Sequence, residues 1–243
     1  MTASRLQDAA LARFAQQGFD ATTMNEVAAD VGIKKPSVYA HFRNKDELFL
    51  SLIPIVIEAE LDYARSVFRG GPDARAQVLA YLESIQRRFE SSYRVQFWLR
   101  ILFAPPTHLY DTVMQPMHVF MDELEGIIRT ALESSPLVPN ASRLGADVLA
   151  RACMSMIDSL QSELLFGGVA KYQRRIKAVW AVFEAAFVST SSISTTGASS
   201  PRVTLFCISI RSRCAFASAA RSPARSRSPT ASRPAAPSRR DLM

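Results

Sequence analysis

Three histidines in 243 residues give little acid and base capacity near neutral pH, and no glycine-rich phosphate loop, G-x-S-x-G elbow or H-E-x-x-H pair occurs. The expectation is therefore that the chain is not an enzyme and has no catalytic residues. The three cysteines, Cys153, Cys207 and Cys214, form an odd set without metal-type spacing, so no metal site is expected and a reducing compartment suits them. No cofactor is called for. The longest strongly apolar run, Leu48 to Ile57, is ten residues with Pro54 inside it, too short to span a bilayer. Arg5 and Asp8 interrupt the N-terminus before a signal-type apolar run can form, and the expected setting is cytoplasmic with no membrane partner. No segment alternates with the two-residue period of a strand.

Acid is missing from two places. The net charge is +7, yet residues 1–188 carry 20 basic against 21 acidic side chains, hence −1, and residues 189–243 carry nine arginines against Asp241 alone, hence +8. That last segment, with 14 Ser, nine Ala and five Pro but no Lys, cannot bury enough apolar surface to offset its ordering entropy, and is expected to be a disordered Ser/Arg/Pro-rich tail. Two origins stay open for it: an Arg-rich arm that binds nucleic acid or acts architecturally through charge, or out-of-frame translation of GC-rich DNA. The second gap is residues 31–45, where Lys34, Lys35, Arg43 and Lys45 stand without one acid.

Residues 1–188 read as helices almost throughout, an all-α chain. Leu6, Ala10 and Phe14 make one stripe of a first helix, which Gly18 stops. Thr23 to Glu26 has capping-box spacing, Val27, Ala28 and Val31 form an apolar face, and Gly32 ends the second helix. A third starts at about Pro36, since proline is tolerated in a first turn, and runs through Tyr39 to about Phe42. Asn44 and the acids after it start a fourth, which continues past Pro54 towards Phe68. After Gly70-Gly71-Pro72, further helices are expected at about 73–91, 94–104, 107–134 with Pro116 disturbing it, 142–166 and 171–188. Residues 1–47 form a three-helix helix-turn-helix domain, 48–188 a larger helical ligand-binding and dimerisation domain, and 189–243 the tail.

In a helix-turn-helix the second helix of the motif enters the major groove while the first crosses the backbone. The acid-free stretch coincides with that second helix, where an acid would face phosphate and each cation gains by releasing counterions. Ser37 and Tyr39 hydroxyls can donate to phosphate, Lys34 and Lys35 can reach guanine acceptors or the backbone, Pro36 can touch a thymine methyl, and Thr23 sits at a helix N-terminus that favours an anion. Phe14, Val38 and Phe42 are the expected core of this small domain, whereas a buried Tyr39 and a merely solvated His41 remain alternatives.

The run AALARFAQQGFDATTMNEVAADVGI, with Phe14, Gly18, Phe19, Thr22, Val27, Ala28 and Gly32, followed by SVYAHFRNKDELF, resembles the DNA-binding domain of the tetracycline-repressor family of bacterial regulators. The resemblance covers about fifty residues. It implies that Ser37, Tyr39 and His41 face DNA and that Lys45 holds a phosphate. Lys34 departs from the small capping residue usual there. The resemblance further implies a homodimer reading a double-stranded DNA operator, and a small hydrophobic or aromatic effector that releases it, most often from repression.

For the effector, the expected walls lie in the 97–121 region, where Phe97, Trp98, Phe103, His108, Tyr110, Met114, Met117, His118 and Met121 cluster, beside plain core packing as the other reading. For the dimer, rows Leu144, Val148, Ala152, Met156 and Val179, Phe183, Phe187 are candidates that a core would show equally. Asp158, Gln161 and Glu163 would favour a cationic ligand if turned inward, and otherwise line a solvated face or rim.

Overall fold

The computed structural model describes residues 2–69, 71, 73–136 and 144–187; the expectations for 189–243 lie outside the described residues. Within them every regular element is helical. Helix α1 spans Thr2–Ala21 and buries Leu6, Ala10 and Phe14, as its stripe predicts. It is broken at Gly18, whose φ of 83° and ψ of 177° place it in a region that essentially only glycine adopts. A Cβ there would meet no atom closer than 3.7 Å, so the penalty of a side chain is backbone strain alone. Gly18→Ala is expected to lower stability by about 1 to 3 kcal/mol in urea unfolding.

Helix α2, Met24–Val31, starts on the capping box: the Thr23 amide donates to Glu26 Oε2 at 2.8 Å and the Glu26 amide to Thr23 Oγ1 at 3.2 Å. Gly32 closes it in the left-handed conformation with φ 74°. Helix α3, Lys35–Tyr39, is shorter than expected, but the amides of His41 and Phe42 still donate to the Val38 carbonyl, so a hydrogen-bonded turn carries on to Phe42. Lys34 occupies its N-cap without any side-chain cap.

The expected fourth helix is two. Helix α4, Lys45–Leu50, is capped by Asn44, and α5 runs over Ile53–Val67. Pro54 has no N–H to donate to the Leu50 carbonyl, so the ladder lapses and the Leu52 amide closes a tighter turn on Phe49 instead. The body continues with α6, Ala74–Ser91, and α7, Tyr93–Phe103. A 3₁₀ turn at Thr107–Leu109 replaces the first turn of the expected 107–134 helix, because Pro105 and Pro106 hold the chain extended before it. Helix α8, Tyr110–Ser134, then accommodates Pro116 without ending. Helices α9, Ala146–Phe166, and α10, Val169–Ala185, complete the fold.

One apolar cluster runs from Leu6 to Phe187. Its body part centres on α9, packed against α6, α8 and α10. The head, α1 to α4, and the body, α5 to α10, share it through aromatic rings: Phe49 of α4 lies 5.1 Å from Phe14 and 5.3 Å from Phe97 of α7. Cys153 is buried and its thiol is pushed up to about 12 by burial, which fits a small packing residue.

Candidate nucleic-acid interface

Helix α3 is anchored by one side and open on the other. Val38 is fully buried and Phe42 nearly so, which fixes the rotation of the helix and turns Lys34, Lys35, Pro36, Ser37, Tyr39 and His41 to solvent. Tyr39 is 43% exposed, so the buried alternative for it fails. Lys35 Nζ lies 5.8 Å from the Tyr39 ring centre, one helical turn on, close enough for a cation–π contact. The six side chains form a single outward face, cationic at its N-terminal edge and hydroxyl-bearing in its middle.

The acids that flank this face in sequence are occupied elsewhere. Arg13 takes both oxygens of Asp30 at 2.5 and 2.8 Å and one of Glu26 at 2.8 Å. The Arg13 hydrogen bond holds the Asp30 carboxyl below its usual range, and bonds from Thr23 do the same for Glu26. Glu47 accepts from the Arg43 amide at 2.6 Å and from its Nε at 3.2 Å, which lowers its pKa too. Pairing these carboxylates with cations offsets their negative potential near the face.

Two expected contacts are placed differently. Thr23 is exposed, but its amide and hydroxyl both go to Glu26, so the capping box already uses them. Lys45 is half-buried: its Nζ donates to the Phe19 carbonyl at 2.8 Å and lies 4.1 Å from the centre of the Phe19 ring. It braces the end of α1. Arg43, which contributes to the local charge but is not among the expected contacts, has its side chain 88% exposed beside the face. Its place directly after Phe42, at the end of the acid-free stretch, was the available signal.

In the body, the nine aromatic, Met and His candidates take several different partners among the described residues. Phe97 faces Phe14 and Phe49 in the head, Trp98 packs on Phe120 at 4.4 Å, and Phe103 packs on Phe166 at 6.0 Å. His108 reaches Asp46 at 3.2 Å and the Phe19 ring at 5.3 Å, a contact with the head. Met117 is buried, Met114 and Met121 are half-buried, and Tyr110 and His118 are exposed. An open groove of about 460 Å³ lies elsewhere, between Arg65 and Phe68 of α5 and the α8 segment from Glu123 to Thr130.

The rows expected for a dimer divide. Leu144, Val148 and Ala152 are exposed, while Met156, Phe183 and Phe187 are buried. On α10 the outward apolar side is Ala178, Ala181, Val182 and Ala185, one step round from the expected row, because Phe183 turns inward to pack on Trp180 and Phe187. Gln161 is buried and Glu163 is paired with Arg175, whereas Asp158 is half-buried and pushed up to about 6 by burial. The folded chain therefore holds the Asp158 proton more tightly than the unfolded one, whose carboxyl titrates near about 4. Stability is expected to fall as pH rises from about 4 to about 6; above that, Asp158→Asn should recover on the order of 1 to 3 kcal/mol, and below pH of about 4 nothing, as measured by urea unfolding across pH.

A capped helix, a glycine turn and a second helix with one exposed cationic face make a helix-turn-helix, a motif whose second helix is shaped to enter a DNA major groove. Residues 6–52 match the family described as bacterial regulatory proteins, tetR family. It is 33% identical over 75 residues to the HTH-type transcriptional regulator AcrR of Shigella flexneri, covering 29% of this chain and 34% of that protein. It is 38% identical over 45 residues to the biofilm operon icaADBC negative transcriptional regulator IcaR of Staphylococcus epidermidis, covering 18% and 24%. The chain thus spans about a third or less of these relatives.

The fold likeness extends further. A TetR-like transcriptional regulator from Rhodococcus sp. RHA1 superposes with a TM-score of 0.55 at 20% identity, over 75% of this chain and 93% of that one. NalD, the secondary repressor of the MexAB-OprM multidrug efflux pump in Pseudomonas aeruginosa, superposes with a TM-score of 0.56 at 17% identity, over 78% and 97%.

Proposed function

We propose that the chain is a sequence-specific transcriptional regulator that binds an operator as a homodimer and, as a repressor, is released by a small hydrophobic molecule. The observation that carries this is the outward face of α3, set rigidly by Val38 and Phe42 and freed of nearby acid. Two heads related by a two-fold axis would read two half-sites about one helical turn or a multiple apart. The exposed apolar sides of α9 and α10, from Val148 to Ala152 and from Ala178 to Ala185, are the surface offered to the second copy. IcaR and NalD are a named negative regulator and a named repressor, which favours repression here.

For release, the effector need only prefer one of two head orientations by about 1 to 3 kcal/mol. The lapse in the helical ladder at Pro54 supplies a joint between α4 in the head and α5 in the body. Half-buried Phe103, Met114 and Met121 offer adaptable apolar surface for such a ligand. Selection of duplexes from random sequence tests the function: a two-fold symmetric consensus is expected, and binding without sequence preference would refute it.

A further inference from the structure

The last carbonyls of a helix have no partner inside it, and they carry the negative end of its dipole. In α1 the break at Gly18 exposes them early. Arg100, on α7 of the body, meets two of them: its Nε donates to the Ala15 carbonyl at 2.6 Å and its Nη2 to the Gln16 carbonyl at 2.9 Å. Carbonyls on successive residues need two donors held in a fixed fork, which arginine has and lysine lacks. Beside this clamp, Gln16 Nε2 donates to the Tyr93 hydroxyl at 2.9 Å, and the Phe97 ring lies 6.2 Å from Phe14.

Other residues of α7 are buried as well: Trp98 packs against Phe120 of α8 in the body, and Leu99 and Ile101 are almost fully covered. One helix is thus both a wall of the body and the dock of α1. The chain connection near Pro54 is a joint, and a joint alone leaves the angle of the head unset. The packing of Phe97 on Phe14 and Phe49 and the Gln16–Tyr93 bond hold the two parts together without the fixed fork of the clamp, and the His108 contact with Asp46 is a further brace whose side chains are both at least 40% exposed, so that solvent weakens it.

We propose that Arg100 is a positioning residue for DNA binding: it fixes the angle of the head on the body, and so the separation of half-sites that the dimer accepts. This rests on the dimeric DNA-reading function proposed above. It adds to that function the group that sets spacing, distinct from the α3 side chains that read bases.

The test selects random duplexes with the full-length wild type, Arg100→Met and Arg100→Lys, and follows thermal unfolding of each. Wild type is expected to accept one half-site separation. Arg100→Met should keep the same base preferences within a half-site and bind an isolated half-site duplex within about twofold of wild type. It should accept several separations and bind the wild-type full site about tenfold more weakly. Arg100→Lys, which keeps the charge and stem but reaches one carbonyl at a time, should fall between them and carries the comparison should the methionine variant not fold. A wild-type-like separation preference in the variants overturns the proposal, as does an equal loss of half-site and full-site binding, which would mean that Arg100 only keeps the head folded. A wild type that selects no paired half-sites overturns the dimeric reading and the positioning role together.

Discussion

Arg88→Met lowers the unfolding free energy by about 3 to 5 kcal/mol, the expected cost of leaving one member of a buried ion pair alone. Arg88 of α6 donates Nη1 to both oxygens of Glu60 of α5, at 2.8 and 2.7 Å. The two side chains are only 14% and 7% exposed. The guanidinium also lies 3.9 Å from the centre of the Tyr63 ring, so the methionine keeps some packing while the charge is lost. Glu60 then sits in the α5–α6 seam without its counter-charge, and its desolvation is uncompensated. The double variant Arg88→Met with Glu60→Leu should return to within about 1 kcal/mol of wild type, since a buried pair contributes little net against apolar residues of similar volume. Urea unfolding of the three variants measures this. A double variant as unstable as the single one would show that Arg88 acts through its packing and not through the pair.

Replacing Lys34 and Lys35 together with alanine is expected to weaken operator binding about 100-fold at 0.1 M salt, roughly tenfold for each cation that no longer displaces a counterion. The same change should lower the slope of log affinity against log salt by about 2. Both lysines are exposed at the start of α3, where the chain has neither a side-chain cap nor an acid to hold them back. Uniform weakening across sequences would assign them to phosphates; relaxed preference at one base pair would assign one of them to a guanine. Lys171 and Lys177, exposed on α10, serve as the internal comparison, and their replacement should leave binding unchanged. A slope that does not move would remove both lysines from the interface.

The elements of the fold that were legible in the sequence are those that local chemistry punctuates. The Thr23–Glu26 box, the Gly32 cap and the Asn44 cap each satisfy amides or carbonyls within four residues, so their spacing alone locates α2 and α4. The rotation of α3 was legible for the same reason: Val38 and Phe42, four residues apart, are the apolar side of a short helix. What was not legible depends on partners distant in sequence. Lys45 shows as a free cation in the sequence, yet the Phe19 carbonyl that holds it is 26 residues away. The Arg100 clamp spans 85 residues to Ala15, and no pattern within α7 announces it. His108 and Phe97 looked like cavity walls by type alone, and only the fold shows that they face the head. Likewise the i, i+4 row Val179–Phe183–Phe187 is a true apolar stripe, but which side of α10 meets the body is decided by α6 and α9.

The central claim, that the outward face of α3 meets DNA, is tested most directly by lysine acetylation with and without bound duplex. The chain has five lysines, at 34, 35, 45, 171 and 177, which divide cleanly between the head and α10. With a selected operator bound, Lys34 and Lys35 should lose most of their reactivity while Lys171 and Lys177 keep theirs. Unchanged reactivity at Lys34 and Lys35 in a saturated complex would place DNA on another surface and contradict the account.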